Sequence, residues 1–62
     1  MEVLNIKELS DYLKISTSTI RRMIFKGEIP YFRLSNQYFF NRENINNWIN
    51  SQIETSNQKK EI

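Results

Sequence analysis

Two amphipathic stretches of helical period stand three residues apart near the start of the chain, and that closeness restricts what it can fold into. In the first stretch Ile6, Leu9 and Leu13 recur at helical spacing, with Lys7, Glu8 and Asp11 on the other side. Asn5 can accept from the free amides of the first turn, and Glu8 can reach back to it, the reciprocal arrangement of a capping box. Leu4 before the cap and Leu9 after it are placed as a hydrophobic staple. The spacing predicts a helix over 6–13. Lys14 and Ile15 break it, and Ser16 is a good cap for a second helix whose apolar stripe is Ile20, Met23 and Ile24. Gly27 can adopt the left-handed conformation that ends helices. Two helices joined by so short a turn form a helix-turn-helix.

Pro30 ends any helical reading, and from Tyr31 the chain becomes aromatic and β-prone. Tyr31–Leu34 and Tyr38–Phe40 read as two short strands around a polar three-residue loop, Ser35-Asn36-Gln37. Asn36 is the loop residue most tolerant of positive φ. Asn41 or Arg42 opens a third helix, in which Ile45, Trp48, Ile49 and Ile53 share a face. From about Ser51 the sequence turns polar, so we expect one domain over 1–53 and a mobile polar tail over 54–62, as a frayed helix or a loose end. The expected fold class is α+β, mainly α: a winged helix-turn-helix with a two-stranded hairpin wing and a C-terminal helix.

Composition narrows the function classes. A chain of 62 residues holds one domain with a small core, near the lower limit of independent stability. Its 39% hydrophobic content is too high for a disordered protein. It has no cysteine and no histidine, so disulfides, thiolate metal sites, zinc ligands and the usual nucleophiles and general bases are missing. Seven scattered carboxylates without a glycine-rich phosphate loop do not make an enzyme, and no cofactor or metal is expected. No apolar run reaches membrane-spanning length, and Glu2 stands where a secretory signal would want basic residues. A cytoplasmic, nucleoid-associated protein is the expectation. The net charge of +2 is compatible with nucleic acid but gains meaning only from where it sits.

The second helix gives it a place. Thr17, Ser18, Arg21 and Arg22 lie off the apolar stripe, and no acid occurs from Thr17 to Lys26. A helix fits the B-DNA major groove, and the first turns of a recognition helix reach base edges. Arg21 and Arg22 diverge by about 100° around the axis, so that one can face bases while the other grips a phosphate. Thr17 and Ser18 are short enough to hydrogen-bond a phosphate where the helix dipole favours an anion. Two arginines on an arbitrary helix would be a solvated face; on the second helix of a helix-turn-helix they point to double-stranded DNA. Lys26 completes this set. Arg33, Asn36 and Gln37 suit a wing entering the neighbouring minor groove, although Ser-Asn-Gln also reads simply as a turn. Phe32, Tyr38, Phe40 and Trp48 are expected in the core or at its edge. Alternation puts Phe39 on the opposite face, exposed like Phe25, and such aromatics are candidates for self-association or a protein partner.

The segment from Leu4 to Trp48 resembles the excisionase-type helix-turn-helix domain, a small relative of the MerR-like winged helix-turn-helix. The resemblance is carried by LNIKELSDYL, ISTSTIRRMI, KGEIP, FRLSNQYFF and RENINNWI in that order. It implies a recognition helix capped by Ser16, with Thr19 supporting the turn and Thr17, Ser18, Arg21 and Arg22 facing DNA. It also implies that Arg33 contacts the DNA backbone from the first wing strand and that Trp48 belongs to the core. Three positions depart from the family pattern: Lys14 and Asn36 stand where glycine is usual, and Phe39 stands where arginine is often found. Such proteins bind near the ends of a phage or mobile element, bend the DNA and help a tyrosine recombinase (an integrase) excise it. Others of the same shape act as small transcriptional regulators. From the small size of one module and its surface aromatics we expect binding to repeated sites with contacts to neighbouring copies, or as a dimer. A rival of another class is a protein-interaction module that docks through Phe25 and Phe39 without touching DNA.

Overall fold

The capping box forms as the sequence requires. In a computed structural model, which describes the backbone of residues 2–61 and the side chains of 2–53, Asn5 Oδ1 accepts from the Glu8 amide at 2.7 Å. Glu8 Oε1 accepts from the Asn5 amide at 2.9 Å. Helix α1 follows over Ile6–Leu13 and helix α2 over Thr17–Lys26. Both end in the same way, with the chain turning through a left-handed residue: Lys14 (φ 59°, ψ 43°) after α1 and Gly27 (φ 69°, ψ 31°) after α2. Each reversal satisfies carbonyls the helix leaves open. Lys14 and Ile15 donate to the Ser10 carbonyl, while Gly27 donates to Ile24 and Glu28 to Met23.

Three strands complete the first part of the chain: β1 (Val3–Asn5), β2 (Phe32–Leu34) and β3 (Gln37–Asn41), antiparallel in the order β1-β3-β2. Strand β1 is an addition to the expected hairpin. Leu4, read as half of a staple, is at once the inward residue of a three-residue strand paired with Phe40. The wing is therefore the free edge of a sheet anchored at the N-terminus. Asn41 then caps helix α3 (Arg42–Glu61) by accepting from the Asn44 amide at 3.0 Å. The polar tail expected over 54–62 falls on residues whose side chains lie outside the described range.

The core is Leu4, Leu9, Ile20, Ile24, Ile29, Phe40 and Ile45, with Ile6, Leu13, Ile15, Met23, Tyr38, Trp48 and Ile49 packed against it. The inward stripe of α2 is the expected one. Ile53, expected on the apolar face of α3, is 52% exposed and lies beyond the reach of the core.

The hairpin differs from expectation by one residue, with a large consequence. Its loop is the pair Ser35-Asn36, both at positive φ (50° and 63°) as a type I′ turn requires, and Gln37 already belongs to β3 opposite Leu34. A three-residue loop would have set Phe32 opposite Phe40, inside. The observed register sets Phe32 opposite Phe39, because a slip of one residue exchanges the faces of a strand. Phe32 is thus corrected from core to the outer face, where its ring lies 6.0 Å from that of Phe39. Phe39, expected to be exposed, is half-buried by this pairing. Together with Val3 and Leu34 the two rings form an apolar outer face on the sheet.

Candidate nucleic-acid interface

With Ile20 and Ile24 turned inward, the helical repeat leaves two lines of side chains on the outside of α2. Thr17, Arg21 and Phe25 follow each other at steps of four residues, and Ser18, Arg22 and Lys26 do the same beside them. All six are exposed. The helix is fixed at its start by Ser16, whose Oγ accepts from the Thr19 amide at 3.1 Å and lies 2.8 Å from Thr19 Oγ1. The Thr17 and Ser18 amides sit at this open end with no acceptor among the described residues.

Among the described residues the cations of α2 have no ion-pair, hydrogen-bond or ring partner of their own side chains. Among the described residues the single ion pair joins Arg42 to Glu2 at 2.9 Å, at the other side of the chain's sequence. Arg42 is further occupied by the Tyr12 ring, 4.9 Å from its guanidinium carbon, and Tyr12 Oη donates to Asn46 Oδ1 at 2.6 Å. The hydrogen bond that Arg42 donates to the Glu2 carboxylate, with a smaller contribution from Tyr12, raises the Arg42 pKa above arginine's already high value. Arg42 therefore serves the junction of α1, β1 and α3, whereas Arg21, Arg22 and Lys26 are exposed with no carboxylate partner among the described residues. From Lys14 to Arg42 the chain holds six basic residues and one acid, Glu28, so the modest net charge is concentrated in the part that contains α2 and the wing.

The wing residues fall in different positions. Arg33 lies on the same sheet face as Tyr38, its guanidinium carbon 5.8 Å from that ring, and donates to Asn36 Oδ1 at 3.3 Å. One of the five guanidinium donors is used, and the others remain. Asn36 shapes the turn and accepts from Arg33, so it is tied to the tip. Gln37, on the opposite face beside the turn, is exposed. Arg33, Asn36 and Gln37 thus surround one tip, with Arg33 and Gln37 pointing from opposite faces. Lys14, noted from sequence as standing where glycine is usual but not as a DNA-facing residue, is exposed at the turn leading into α2 and has the left-handed backbone that a glycine there would favour. Among the described residues there is no cavity and no cluster of acidic residues suited to a metal.

A short helix-turn-helix whose second helix turns an unpaired cationic face outward, followed by a hairpin and a third helix, defines a small winged helix-turn-helix domain, a DNA-binding class. The helix-turn-helix domain family model matches residues 3–53, and the chain belongs to this excisionase-type family. No curated protein and no solved structure matches the chain. No helix among the described residues is long and apolar enough to cross a membrane.

Proposed function

We propose that this chain is a sequence-specific double-stranded DNA-binding protein acting in the cytoplasm, on the nucleoid, as an excisionase-like recombination directionality factor of a phage or mobile element. The observation that carries DNA recognition is the outer face of α2: Thr17, Ser18, Arg21, Arg22 and Lys26 exposed together, with no acid on the helix and no ion pair to them among the described residues. In this reading α2 lies in the major groove, Thr17 and Ser18 meet a phosphate at its start, and the arginines divide between base edges and backbone. Arg33 reaches the backbone beside the wing, with Asn36 and Gln37 at the minor groove. One such module covers roughly 600–1,000 Å² of surface. Tight occupancy then calls for several copies on adjacent sites, or for the integrase as a second partner, and a bent site is what such an assembly needs.

The same surface serves a small transcriptional regulator, and where the sites lie separates the two. Footprinting on the DNA flanking the gene, over a salt series, is the test. Protection at the ends of an integrated element supports the excision role; protection confined to a promoter replaces it with regulation. Failure to protect any duplex, together with capture of a protein partner that depends on Phe25, supports the protein-interaction reading instead.

A further inference from the structure

Phe25 is 94% exposed, the most exposed large apolar side chain of the described residues, and it stands on the cationic face of α2. It is four residues beyond Arg21, three beyond Arg22 and next to Lys26, and it makes no ring or cation contact within the chain among those described. A phenylalanine that supports no core and shares its helix face with Arg21, Arg22 and Lys26 is poorly suited to a second apolar protein face, since those cations would be desolvated with it. It suits a polyanion that also offers an apolar spot. In the major groove the one such spot is the thymine 5-methyl group, and phenylalanine is among the side chains that pack on it. We infer that Phe25 is a specificity-determining residue that reads a thymine methyl. It rests on the DNA reading above.

Geometry adds a position. Four residues of helix advance about 6 Å, and base pairs are stacked about 3.4 Å apart. With α2 along the groove, the thymine read by Phe25 lies about two base pairs from the contact made by Arg21. Loss of one buried methyl lowers affinity by about fourfold.

The test uses the full chain and a duplex selected by it from a pool with a randomised core. Each thymine in the protected region is replaced in turn by deoxyuridine, which lacks only the methyl, and binding is measured for the wild type and for Phe25→Ala. Because Phe25 touches so little of the fold, the variant keeps its circular dichroism spectrum and its unfolding midpoint. The expected result is one position at which the wild type loses about fourfold and Phe25→Ala loses nothing further. A flat deoxyuridine profile for the wild type, or equal losses for both proteins, overturns the assignment while leaving DNA binding intact. Loss of cooperativity on two-site DNA with unchanged single-site affinity also overturns it, and places Phe25 at a contact between copies. If the wild type selects no duplex at all, the DNA reading itself fails, and this inference with it.

Discussion

Lys14 and Gly27 occupy the same place relative to their helices, the first residue beyond the end, with nearly the same left-handed backbone (φ 59° and 69°). One is lysine and the other glycine, so exchanging the residue types should move stability in opposite directions. A side chain in this conformation costs about 1–2 kcal/mol against the right-handed form. Glycine avoids that but gives back about 0.4–1 kcal/mol through the greater freedom of the unfolded chain. Lys14→Gly is therefore expected to stabilise by about 0.5–1 kcal/mol, a rise of roughly 2–8 °C for a domain of this size. Gly27→Ala is expected to destabilise by about 1 kcal/mol. A Cβ at Gly27 would meet nothing within 4 Å, so steric crowding adds nothing to that figure. Urea unfolding followed by circular dichroism measures both, with unchanged m-values as the sign that only stability moved. Lys14→Ala is the control: it removes the charge and keeps the backbone strain. If Lys14→Ala stabilises as much as Lys14→Gly, the gain comes from charge, and the conformational reasoning is refuted.

Other outcomes follow from particular contacts. Ser35→Asn should stabilise by a few tenths to about 1 kcal/mol, since asparagine tolerates positive φ better than serine and the Asn36–Arg33 bond is kept; a loss on urea unfolding would count against the two-residue turn. Ser16→Ala removes the acceptor of the Thr19 amide and should cost about 1 kcal/mol by the same assay. Phe40→Ala empties the centre of the core at a fully buried position, an expected loss of about 3–5 kcal/mol. Against a total of about 3–9 kcal/mol for a chain of this length, it should leave a broad or absent thermal transition.

The helical part was legible because its signals are local. Asn5 with Glu8, Ser16 with Thr19, and Gly27 act within a few residues of themselves, and the stripe Ile20, Met23, Ile24 repeats the helix period; each is found where its chemistry places it. The sheet was legible only in outline. Val3–Asn5 is too short to alternate visibly, and its pairing with Phe39–Asn41 joins residues far apart in sequence. The turn was misjudged by one residue because serine at positive φ carries no strong local signal, and that single step moved Phe32 to the outer face. Ile29, buried between Glu28 and Pro30, belongs to no period at all. For the site, the order of charges in α2 was readable, but that Arg42 is spent on Glu2 and Tyr12 while Arg21 and Arg22 are not depends on the fold.

Salt dependence of duplex binding, compared between the wild type and the double variant Arg21→Ala/Arg22→Ala, addresses the outward cationic face of α2 most directly. Each phosphate neutralised contributes about 0.9 to the slope of log K against log salt. The expected result is a weaker complex with a slope flattened by about 0.9–1.8, in a protein whose unfolding midpoint is unchanged because neither side chain packs in the core. Equal slopes and equal affinities for the two proteins would contradict α2 as the element that meets DNA.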